Sequence, residues 1–209
     1  STTRFSVPCP KSRCVGLVPP PSTDLGHATL DAMIDQLTRV PALTRPELLA
    51  PAVATALRAW RGPGELVEVT EIDPAVADTA AFCERYGVAA DESANCVVVA
   101  ARRGGEQWLA ACVVLANTRA DVNGLVRRHL GARKVSFAPM GIAVAETGME
   151  YGGITPIGLP ASWPLLVDAG AAATERVIIG SGIRGSKLVI PGALLAALPK
   201  AEVLEDLAA

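Results

Sequence analysis

KVSFAPMGIAVAETGMEYGGITPIGLPASWPLLVDAGAAATERVIIGSGIRGSKLVI, residues 134–190, decides the fold. Residues 134–138 read as a strand that Pro139 closes, and a weak helix follows as far as Thr147 and Gly148. The next run, Gly152, Gly153, Ile154, Thr155, Pro156, Ile157, Gly158, Leu159 and Pro160, is a loop by composition. Short apolar runs at residues 165–167, 176–179 and 187–190 predict three strands. Pro191 fits the first turn of a last helix reaching Leu198.

Working toward the N-terminus, two Val-rich runs at residues 95–100 and 108–115 flank Arg102, Arg103, Gly104 and Gly105, which predicts an antiparallel hairpin. A short helix follows it, starting near Asp121, presenting Val122, Leu125, Val126 and Leu130, and stopping at Gly131. Upstream, residues 65–72 are β-rich, and one helix is expected from Asp73 and Pro74 to Gly87. Earlier still, Leu30, Met33, Ile34 and Leu37 recur at helical spacing behind Thr23 or Asp24 as cap. A second helix is expected from Thr44 to Trp60, with Thr44 and Glu47 as a capping box and Pro46 in the first turn. These two form an N-terminal helical pair spanning residues 23–62. Residues 1–22 mix Pro, Ser and Cys without period and read as a flexible arm.

The fold class is therefore α/β: a mixed, largely antiparallel sheet surrounded by helices, in a single domain over residues 23–209. Half of the 209 residues are hydrophobic but only 4% are aromatic, so a core of Ala, Val, Leu and Ile is expected. No apolar run approaches the ~18 residues of a membrane span. The stretch at residues 15–18 runs into Pro19, Pro20 and Pro21 rather than a signal-type core, and five irregularly spaced cysteines suit reduced thiols, so a cytoplasmic protein is expected. A net charge of −2 argues against electrostatic gripping of long nucleic acid, DNA included. Basic residues do cluster at Arg102 and Arg103, and at Arg127, Arg128, Arg133 and Lys134.

Several motifs fail in context. Gly180, Gly182 and Gly185 spell GxGxxG, but a strand and Pro191 follow where the dinucleotide motif needs a helix. The phosphate-loop spacing places Lys187 one residue late. Ser181 lacks the GxSxG frame. His27 and His129, the only histidines, fall on predicted helices with no triad spacing. Glu71 with Asp73, and Glu205 with Asp206, read as solvated carboxylates. Cys9 and Cys14 lack the partners of a zinc site. No metal or cofactor is expected.

The ordered series from residue 134 resembles the YbaK and prolyl-tRNA synthetase-associated deacylases, an editing-domain family. It rests on the strand to Ala138, the helix ending in Thr147 and Gly148, the loop of Gly152, Gly153, Pro156 and Gly158, the strand ending in Asp168, and the Gly182 turn. With the hairpin, it covers residues 65–206. It implies a trans-editing hydrolase that deacylates mischarged aminoacyl-tRNA, carrying a small amino acid such as Ala or Cys on tRNA-Pro. The implied catalytic positions are Gly152, Gly153 and Asn95; the implied substrate-binding positions are Pro156, Thr155, Asp168 and Gly182. Glycine backbone donors facing a developing oxyanion suit ester hydrolysis. Implied partners are the aminoacyl-tRNA acceptor end and an aminoacyl-tRNA synthetase. The resemblance also implies that the tRNA's own ribose hydroxyl helps activate water. Asn95 stands where the family carries a lysine, so the alternative is a catalytically degenerate module that binds aminoacyl ends, amino acids or a protein.

Overall fold

The computed structural model describes residues 37–208. The arm at 1–22 and nearly all of the first predicted helix lie outside them. The strands divide between two sheets. The first is β1 (Arg39–Pro41), β2 (Glu68–Glu71), β8 (Ser186–Ile190) and β7 (Val177–Gly180) in that order, antiparallel throughout. The second runs β5 (Lys134–Phe137), β3 (Ala94–Arg103), β4 (Glu106–Leu115), β6 (Leu165–Asp168), β9 (Ala201–Leu204). Its β5–β3–β4 part is antiparallel, whereas β4, β6 and β9 are parallel. A bridge between Ser93 and Ile178 joins the sheets where β3 begins.

The expected hairpin is present, and Gly104 and Gly105 take positive φ at its tip. β6, β7 and β8 are buried at every position, Asp168, Ser186 and Lys187 included, which explains why apolar and polar residues do not alternate along them. The main core packs Val53 and Leu57 of α1 (Pro51–Ala59) against Val69, Val167, Ile179 and Leu188. Each such side chain contributes roughly 1.5–3 kcal/mol when fully buried.

Three helical expectations need correction. The helix expected from Thr44 starts at Pro51: before it lie two 3₁₀ turns, Ala42–Thr44 and Pro46–Leu48. Pro46 and Pro51 each disfavour α geometry in the preceding residue, and Ala50 is extended, its N–H donating to Ser181 O. Thr44 caps nothing; its hydroxyl donates to Pro41 O, and Glu47 pairs with Arg45. The helix expected from Asp73 to Gly87 is broken into a 3₁₀ turn, Pro74–Val76, capped by Asp73, and α2 (Thr79–Tyr86), capped by Asp78. The last helix shortens to Ala193–Ala196, and β9 follows it, unforeseen.

Asp121 does cap the next segment, accepting from the N–H groups of Gly124 and Leu125, and a π-helical turn, Val122–Val126, leads into α3 (Arg127–His129). α4 (Met140–Thr147) ends on left-handed Gly148 as expected, while α5 (Ala169–Ala173) was not foreseen. Gly180 to Gly185 forms the connection between two antiparallel strands, with no helix after it. Among the described residues, no helix is long and apolar enough to cross a membrane.

Candidate functional site

The break between Val76 and Thr79 matters because it turns Ala77, Asp78 and Thr79 toward the junction of the sheets. There a cavity of about 410 Å³ opens. That volume falls within the roughly 300–1,000 Å³ of small-molecule sites. Its walls come from the capped start of α2 (Asp78, Thr79), the start of β3 (Asn95, Cys96), the loop after α4 (Tyr151, Gly152, Ile154), and β7, β8 and the connection between them (Gly180, Lys187, Arg184).

Asn95 is half-buried, and its Oδ1 accepts from Thr79 Oγ1 at 2.6 Å. That bond fixes the amide's orientation and leaves its N–H₂ for another partner. Gly152 takes φ +86, and a Cβ there would lie 2.9 Å from Arg184 Nη1, so only glycine lets the loop lie against this guanidinium. Arg184 is itself pinned, donating from Nη1 to Tyr151 O at 3.1 Å and from Nη2 to Pro74 O at 2.9 Å.

Lys187 went unrecognised in the sequence. It is 4% exposed, and its Nζ donates to Ala77 O at 2.8 Å while sitting 5.5 Å above the Phe82 ring. Burial pulls its pKa down to about 8 from 10.5; Arg184 pushes the same way, while Cys83 and Asp78 oppose. Near neutral pH the ammonium still dominates, but it is easily deprotonated. The available signal was a lysine inside the all-buried run Ser186–Ile190, where a charge is not tolerated without a purpose. Cys96 lines the same cavity, and burial raises its thiol pKa, which keeps it protonated and a poor nucleophile. Cys112 is pushed up to about 12 by burial, and Cys83, Cys96 and Cys112 are free thiols.

Of the residues picked from sequence, Gly152 and Asn95 meet in this cavity, and the others do not line it. Gly153 sits behind the loop: its N–H donates to Glu150 O at 2.9 Å, its carbonyl accepts from Gly182 N at 2.7 Å, and a Cβ would strike Ile183 O at 2.6 Å. Its N–H is therefore taken up in turning the chain. Gly182, at φ +88, is a packing position, where a Cβ would lie 2.3 Å from the Ala50 Cβ. Asp168 is the N-cap of α5 and accepts from Gly170 N at 3.0 Å. Thr155 is fully buried with no hydrogen-bond partner for its hydroxyl. Pro156 lines a separate apolar cavity of about 280 Å³ with Trp60 and Trp163. Among the described residues, no three His, Cys, Asp or Glu side chains gather to hold a metal ion.

Residues 73–198 match the family model of the aminoacyl-tRNA editing domain. The chain belongs to that family. Two crystal structures share the fold of this editing domain, each with a TM-score of 0.63 and 22% identity. One, described as "a putative trans-editing enzyme for prolyl tRNA synthetase", is matched over 75% of this chain and 94% of its own. The other, of a hypothetical protein, is matched over 74% and 99%. Every wall of the 410 Å³ cavity falls within the family's matched span. Deacylation of aminoacyl-tRNA is thus the activity of the family to which this cavity belongs.

Proposed function

We propose that this editing domain acts in trans, hydrolysing the ester between a small amino acid, such as Ala or Cys, and tRNA-Pro. The observation that carries the reading is the convergence of Gly152, Asn95 and Lys187 on one cavity with a single acid, Asp78, among its lining residues. Asp78 suits the substrate's α-ammonium. The Gly152 N–H, which has no partner among the described residues, and the Asn95 amide suit the ester carbonyl, whose oxygen turns negative when water adds. Lys187 adds a buried cation beside that charge, stronger there than in water. The acyl C–O bond then breaks, and the proton from water ends on the ribose oxygen that leaves. No histidine lines the cavity, in keeping with a water activated by the ribose's neighbouring hydroxyl.

Ala94, Val98, Ala143 and Ile154 bound the cavity with small or aliphatic surface, which favours a small side chain. The test is single-turnover deacylation of tRNA-Pro charged with Ala, Cys or Ser. Release faster than the protein-free rate, and slowed at least 100-fold by Lys187→Met, supports the proposal. No release from any of the three refutes it and leaves a module that binds aminoacyl ends, with the neutral amide of Asn95 as the reason.

A further inference from the structure

The tip of the β3–β4 hairpin and the start of β5 gather four exposed cations that the cavity does not use: Arg102, Arg103, Arg133 and Lys134. They line a shallow depression of about 770 Å³ in which Glu106 is the one carboxylate. The register places Arg102 directly across from Lys134, and like charges in that position destabilise a sheet. Arg133 is tied to the same spot, its N–H donating to Arg102 O at 2.9 Å. Among the described residues, ion pairs within 4 Å form at Arg39 and Arg45, away from this patch. Arg103 has local partners, donating from Nη1 to Gly131 O at 3.2 Å and standing across from Glu106, whereas Arg102, Arg133 and Lys134 crowd together in a chain that has more acids than bases. An external polyanion would offset their repulsion.

The strip leads to the cavity. β5 is the edge strand of its sheet and runs from Lys134 to Phe137, and Ala138 next to it already lines the cavity. At about 3.3 Å per residue, Lys134 and Ala138 are roughly 13 Å apart. That is about four stacked nucleotides at roughly 3.4 Å each, the length of the unpaired 3′ end on which a tRNA carries its amino acid. Phe137 (65% exposed) and Tyr151 (61% exposed) stand at the cavity's rim. Exposed aromatics beside cations are the elements by which proteins hold single-stranded RNA, with bases stacked and phosphates paired.

We propose that the strip from Arg102, Arg133 and Lys134 along β5 to Phe137 and Tyr151 is the docking track for the single-stranded 3′ end of a tRNA. This rests on the reading that the cavity receives the aminoacyl end. An acidic protein face would satisfy the cations but leave the rim aromatics, and their continuity with the cavity, without a role.

The test is anisotropy of labelled, uncharged tRNA with the full chain between 50 and 200 mM salt, a readout that needs no hydrolysis. Arg102→Gln with Lys134→Gln lowers affinity at least tenfold at low salt and flattens the plot of log K against log salt by about 1.4, at roughly 0.7 per lost phosphate contact. Phe137→Ala weakens binding about fivefold or more without changing the slope. Arg58→Gln with Arg61→Gln removes the same charge from exposed positions at the end of α1 and leaves the slope unchanged. An insensitive Arg102/Lys134 variant, an equal effect from the Arg58/Arg61 control, or no binding of uncharged tRNA by the wild type, as expected if an acidic protein docks there, overturns the track. Variant-sensitive binding without deacylation keeps the track and removes the hydrolase reading; deacylation with an insensitive double variant does the reverse.

Discussion

Gly152 and Gly182 have nearly the same left-handed backbone, φ +86 and +88, in two loops joined by the hydrogen bond from Gly182 N to Gly153 O. One faces the cavity and Arg184; the other is pressed onto Ala50 and Val53 of the core. Glycine is required at both, by the same backbone geometry. What lies beyond the missing Cβ, the end of an arginine side chain that lines the cavity or a packed helix start, decides whether the position serves chemistry or stability. A sequence shows the requirement and not the neighbour.

The largest expected effect comes from Gly182→Ala. Positive φ and a Cβ 2.3 Å from another carbon leave no relaxed solution, so stability falls by about 3 kcal/mol or more, read as a lowered Tm. The folded fraction keeps its rate constant. Gly152→Ala should invert that pattern: the nearest atom is the far end of the Arg184 side chain, which can swing away by giving up its exposed hydrogen bonds to Tyr151 O and Pro74 O, so the stability cost is about 1–2 kcal/mol. Deacylation should fall on the order of 100-fold, because the N–H and Arg184 are displaced together. Equal stability losses in the two variants, or equal rate losses, would break the comparison.

The third effect is a pH dependence. With Lys187 acting as a cation, enzyme-dependent hydrolysis, corrected for the background that rises with hydroxide, should fall about tenfold for each unit above a pKa near 8, and Lys187→Met should abolish that limb. Stability should move the other way. The folded pKa is depressed below the unfolded value of 10.5, so between pH 8 and 10.5 the unfolded chain binds more protons, and stability rises with pH. Arg184, Asp78 and Cys83 are the charged or titratable groups that act on Lys187, and Arg184→Gln should raise its pKa. Smallest is Thr155→Val. It removes a buried hydroxyl without a partner and should stabilise the fold by about 1 kcal/mol, raising Tm with deacylation intact.

Local patterns made much of the fold legible: the Gly104–Gly105 turn, the three buried strands after residue 164, and the glycine-rich β7–β8 connection that mimics a nucleotide motif. The broken helix at Asp78 was hidden because both Asp73 and Asp78 are competent caps, and only packing against β8 selects a second start. Lys187 was visible as a strand residue, but which cavity its side chain reaches depends on a sheet pairing between residues far apart in the chain. Asp168 could be read as a cap or as a ligand contact, and the N–H of Gly170 shows the cap. β9 is only four residues long, none of them fully buried, and exists through parallel pairing with β6, which no local pattern encodes.

The central claim is that the Gly152 N–H receives the carbonyl of an aminoacyl end in the cavity shared with Asn95 and Lys187. Titrating the ¹⁵N-labelled protein with adenosine bearing alanine through a non-hydrolysable 3′-amide tests it directly. The account predicts a saturable downfield shift of the Gly152 amide proton with Gly182 unmoved; a shift at Gly182, or none at Gly152 when the ligand is bound, would contradict it.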